Sequence, residues 1–66
     1  MDDALVAYDT GRADGFDGRR DAGRAAHPHT GADYRVGIVD GQVARVEADL
    51  IAAVRKALDH HDEAGA

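Results

Sequence analysis

The 66-residue chain has no cysteine, tryptophan, serine or asparagine, a single proline (Pro28), and only three aromatics, Tyr8, Phe16 and Tyr34. Without cysteine there are no disulfides, no thiolate zinc sites and no thiol nucleophile, and the missing serine removes another common nucleophile. No apolar run approaches bilayer-spanning length. Asp2 and Asp3 stand where a secretion signal would carry positive charge, so the expectation is a cytoplasmic protein with no membrane contact. So few aromatics leave a thin core of alanine, valine, leucine and isoleucine. A chain this short buries only about 60% of its unfolded surface, and with disulfides and thiolate metal sites unavailable, association is the expected remedy.

Charge is unevenly spread. Eight basic and thirteen acidic residues give a net −5. Residues 1–10 hold only acids, residues 11–36 are slightly basic through Arg12, Arg19, Arg20, Arg24 and Arg35, and residues 37–66 are acidic again. An acidic chain is repelled on average by polyanions, so DNA binding is not expected, and only the middle third offers a locally basic surface. Fourteen alanines and eight glycines beside one lysine resemble GC-rich coding, which points to a high-GC bacterium or its phage.

What the chain does contain is a repeated phrase. Tyr8, Gly11, Asp14 and Gly15 spell Y-x-x-G-x-x-D-G, and Tyr34, Gly37, Asp40 and Gly41 spell it again 26 residues on. Each copy places two glycines four apart in a segment that otherwise reads as helix, at a cost of about 1 kcal/mol per glycine relative to alanine. The reading is that two helices cross closely at these bare faces, with Tyr8 and Tyr34 packing over the ends of the contact. A ligand groove at the glycines is the alternative. Asp14 and Asp40 occupy equivalent places, where each can bond a tyrosine or arginine across the crossing.

Asp2 or Asp3 can cap a first helix over about residues 3–20, with Leu5, Tyr8, Arg12 and Phe16 as its apolar stripe and Gly11 and Gly15 on the flank. Residues 21–31 form a loop around Pro28, and Thr30 with Asp33 suggests a capping box. A second helix over about residues 32–59 carries Tyr34, Ile38, Val39, Val43, Val46, Leu50, Ile51, Val54 and Leu58 at spacings of three and four. The tail 60–66 is expected to fray. The predicted fold is therefore all-α, a single small domain built as a helical hairpin: short helix, loop, long helix. At about 1.5 Å per residue the long arm overshoots the short one by roughly 15 Å. Val43, Val46, Leu50, Ile51, Val54 and Leu58 are then left uncovered, the expected face for a partner, with an antiparallel homodimer forming a small bundle preferred.

The catalytic inventory is empty: no serine or cysteine nucleophile, no phosphate-binding glycine loop opening from a strand, no H-E-x-x-H. The chain reads as a non-enzyme without cofactor. His27, His29, His60 and His61 are the only imidazoles, and adjacent histidines in a frayed tail point to different sides of a helix, so no metal site is expected. The arginines are interleaved with Asp14, Asp17 and Asp21, as on a solvated face; a phosphate-binding stripe is the other reading.

The order Tyr8, Gly11, Gly15, Gly18-Arg19, Pro28, Tyr34, Gly37 and Gly41 resembles the ribosome modulation factor family over about residues 7–42. That resemblance implies two helices joined by a loop, and a small regulatory protein that binds the small ribosomal subunit through ribosomal RNA, with Arg12, Arg19, Arg20, Arg24 and Arg35 as the phosphate contacts. The alternative is an acidic interaction module that docks its long helix, Val43–Leu58, on a larger protein.

Overall fold

The computed structural model describes residues 2–65, with side chains through residue 60. The fold is all-α: a short helix α1 (Asp3–Phe16), a single turn α2 (Ala22–Ala25) and a long helix α3 (Gly31–Gly65). The molecule is a rod of 58 × 22 × 11 Å. Its radius of gyration is 17.0 Å, against about 11 Å for a compact chain of this length. α3 sets the length, and everything else is gathered at its N-terminal end.

α1 begins where Asp2 Oδ1 accepts from the Ala4 amide at 3.0 Å. It ends four residues earlier than the spacing predicts, because Gly18 adopts φ +72°. The Gly18 amide then donates to Gly15 O at 3.2 Å and the Arg19 amide to Asp14 O at 2.8 Å. This is the paired bonding of a Schellman cap, open to glycine because it has no Cβ. The predicted loop contains a turn of its own, α2, capped by Asp21 Oδ1 accepting from the Arg24 amide at 3.0 Å. Before α3, His27 Nδ1 accepts from the amides of His29 and Thr30 at 3.1 and 3.2 Å. α3 extends to Gly65, past the predicted end near residue 59; no proline or glycine intervenes after Gly41 until Gly65 itself.

The buried face of α1 is not the Leu5–Tyr8–Arg12–Phe16 stripe. Leu5 is 57% exposed and Phe16 sits at the edge, whereas Gly11 and Gly15 are buried and Ala4, Ala7 and Asp14 are partly so. The helix packs through its smallest residues because its partner comes so close. A Cβ on Gly11 would overlap the carbonyl of Tyr34, and one on Gly15 that of Ile38. A Cβ on Gly37 would overlap the carbonyl of Tyr8, and one on Gly41 that of Arg12.

These contacts also overturn the hairpin. Tyr8 and Gly11 lie beside Tyr34 and Gly37, and Arg12 and Phe16 lie beside Gly41, with Arg45 reaching the Phe16 carbonyl at 3.2 Å. Contacts that climb both helices together mean that α1 and α3 run in the same sense. A hairpin joins antiparallel neighbours; here residues 17–30 instead carry the chain back from the end of α1 to the start of α3. Each contact recurs when the two halves exchange roles, so an approximate two-fold axis lies between the helices and relates one copy of the repeat to the other.

Small-xxx-small faces permit this approach, and Cα–H···O contacts between the touching backbones contribute about 0.5–1 kcal/mol each. Gly37→Ala is therefore expected to lower stability by about 1–3 kcal/mol through overpacking, although alanine is the better helix former by about 1 kcal/mol. Chemical denaturation followed by circular dichroism measures this, and an unchanged midpoint would contradict the close crossing.

Candidate functional site

Two tyrosine–carboxylate pairs sit on the crossing. Tyr34 is 1% exposed. Its hydroxyl donates to Asp14 Oδ2 at 2.6 Å and accepts from the Asp21 amide at 2.8 Å, so one oxygen joins α3, α1 and the return connection. Tyr8 makes the equivalent bond to Asp40, at the surface. Burial, and then the bond to Asp14, raise the Tyr34 hydroxyl pKa above its ordinary 10.0. The bond to Asp40 chiefly raises that of Tyr8. Both hydroxyls are thus held neutral as donors across the crossing. Tyr8, Gly11, Gly15, Tyr34, Gly37 and Gly41 all meet at one contact, and the opposing backbone fills the space beside the glycines.

The outer face of α3 is different. Val43, Val46, Leu50, Ile51, Val54 and Leu58 are all exposed, Val46 by 67% and Leu50 by 63%. The overhang beyond α1 leaves part of this row open, but overhang is not the whole reason. Val36 and Val39, each 55% exposed, extend the same row back alongside α1. At about 100° per residue, the row from Val36 to Val54 lies roughly half a turn from the Tyr34, Gly37, Ile38 and Gly41 face that α1 covers. A longer α1 would not cover it either. Val36 and Val39 were missing from the predicted partner face; their three- and four-residue spacing to Val43 and Val46 was the available signal. Ile38, by contrast, turns inward and is buried with Ala25 and Tyr34.

The arginines do not form one stripe. Arg19, Arg20 and Arg24 line an open depression with Thr10, Asp14 and Asp21. Within it Arg19 pairs with Asp17 at 3.0 Å and Arg24 with Asp21 at 3.6 Å, all four side chains at least half exposed. Arg12 lies apart, beside Asp9, Phe16 and Asp17. Arg35 is used structurally, donating to the Ala25 carbonyl. Arg45 closes the end of α1: besides its bond to the Phe16 carbonyl, its guanidinium carbon stands 5.4 Å from the centre of the Phe16 ring.

Among the described residues, no three histidine, aspartate or glutamate side chains lie close enough to hold a metal ion. The His27 and His29 rings are tilted at 57° to each other with centres 5.9 Å apart, while the His61 side chain lies outside the described residues. No helix of the described residues is long and apolar enough to cross a membrane. No family model, curated protein or solved structure matches the chain.

The raised Tyr34 pKa carries a pH signature. The folded state favours the neutral hydroxyl, so its stabilisation is complete below the ordinary pKa of 10.0 and declines as pH rises through that value towards the higher folded one. Thermal unfolding midpoints should therefore fall above pH 10. Tyr34→Phe should flatten that alkaline slope while losing about 1–3 kcal/mol at neutral pH, where Asp14 and the Asp21 amide lose their partner. An undiminished slope in the phenylalanine variant would contradict the assignment.

Proposed function

We propose that this protein acts by binding rather than by catalysis, as a small regulatory or adaptor protein. The glycine-clamped crossing forms a head that holds one end of α3, and the outer apolar face of α3 engages another protein. One observation carries the reading: Val36, Val39, Val43, Val46, Leu50, Val54 and Leu58 stand exposed in one row on the side that α1 cannot reach. Exposed apolar surface that is continuous, rather than scattered, marks an interaction site, and an amphipathic helix engages a partner through anchors at such spacings.

A second reading, ribosome association of the ribosome modulation factor kind, draws support from a separate observation. Arg19, Arg20 and Arg24 converge around one depression beside the C-terminal end of α1, within the region that carries the family resemblance. The two readings differ in their response to salt, because phosphate contacts release counterions and apolar docking does not. A pull-down from native lysate, scored for ribosomal RNA and for protein, separates them. Under the first reading, capture resists salt and is abolished by Leu50→Asp. Under the second, capture of ribosomal RNA falls steeply with salt and is lost in an Arg19→Ala/Arg20→Ala variant. If neither substitution changes what is captured, both readings fall.

A further inference from the structure

We propose that His27 is a proton-operated cap at the start of α3, closed while its imidazole is neutral and opened by acid. The turn that leads into α3 presents backbone donors at His29, Thr30 and Gly31, Pro28 having none. His27 satisfies all three. Its Nδ1 accepts from the His29 and Thr30 amides at 3.1 and 3.2 Å, and its carbonyl accepts from the Gly31 amide at 2.9 Å. Two donors aimed at one ring nitrogen require a lone pair there, so the proton of the neutral ring sits on Nε2. The cationic ring carries N–H on both nitrogens and can accept at neither. Protonation therefore takes the acceptor from both amides at once. It also sets a positive charge before the N-terminal end of a helix, where the dipole disfavours it.

This start differs from those of the other two helices. α1 and α2 begin at carboxylates, Asp2 and Asp21, whereas α3 begins at an imidazole, the side chain whose charge ordinarily changes between about pH 5 and 8. His27 is exposed, so bulk protons reach it. The other charged or titratable groups at this end of the molecule are His29, its ring centre 5.9 Å from that of His27, Arg24 in α2, Asp33 and Arg35 in the first turns of α3, and Asp2 and Asp3, which the register of the crossing sets at the same end of the pair. Among these residue types only histidine changes charge in that interval, so comparing His27 with His29 isolates the cap. The cap also adjoins the clamp. Beyond it the Tyr34 amide donates to the Thr30 carbonyl at 3.0 Å, and the Tyr34 hydroxyl holds α1 and the return connection. Acid thus loosens the return connection where it joins the head.

The sign follows from the neutral ring being the bonded form: its stabilisation is present at and above neutrality and is lost as pH falls through about 6.5, the ordinary value of an imidazole. Thermal unfolding of the full chain between about pH 7.5 and 5, followed by circular dichroism, tests this. His27→Asn keeps an acceptor at the cap without a titrating ring. Relative to that variant, the wild-type midpoint is expected to match near pH 7.5 and to fall roughly 5 °C below it near pH 5. His29→Gln should keep the wild-type slope. Nuclear magnetic resonance of the wild-type chain gives the local readout: the His29 and Thr30 amide signals should move with pH in step with the His27 ring, and the neutral ring should carry its proton on Nε2. A wild-type slope no steeper than that of His27→Asn, amide signals that ignore the ring, or a neutral ring protonated at Nδ1 would each overturn the proposal.

Discussion

The approach of two helix backbones at Gly11, Gly15, Gly37 and Gly41 constrains everything else in this protein. Each glycine faces a carbonyl of the opposing helix where any side chain would collide. Contact at that range replaces side-chain interdigitation with backbone packing, so the head needs almost no conventional core; among the described residues the buried hydrophobic ones are Ala25, Tyr34 and Ile38. The gain is dispersion and weak Cα–H···O bonding over a short length, set against the helix-propensity cost of four glycines. Such a balance leaves little margin, and polar pins at the rim add to it: Tyr34 to Asp14 and the Asp21 amide, Tyr8 to Asp40, and Arg45 to the Phe16 carbonyl.

In the parallel pair the two copies of the motif face each other in register. The chain must travel back along the pair before α3 can start, which is why residues 17–30 are ordered by caps rather than left loose. Gly18 turns the chain out of α1, Asp21 starts α2, and His27 gathers the amides ahead of α3. The two halves are nevertheless unequal. Tyr34 is buried against the return connection, while Tyr8 is half-buried, and the pKa of each hydroxyl is raised.

Clamping only one face at one end of a 35-residue helix leaves a long amphipathic rod with its apolar side outward. The head thus fixes α1 on one end of α3 and leaves the outer row uncovered. The hydroxyl–carboxylate pairs hold the two helices together.

Much was legible in the residues alone. The all-α class, the long second helix and the glycine repeat rest on local periodicity and propensity, which act over neighbours in sequence. The early end of α1 was legible too, in Gly18, but the 3.6-residue pattern running past it concealed the stop. The direction in which the helices cross was not readable, because two glycine faces can oppose one another in either sense and only the intervening return, with Tyr34 anchored on Asp14 and Asp21, selects the parallel one. Nor was it readable that Val36 and Val39 belong to the open face and Ile38 to the closed one. The sequence by itself determined which residues are helical and which are apolar; the tertiary structure decided which of them are covered, because burial depends on where the second helix lies around the first.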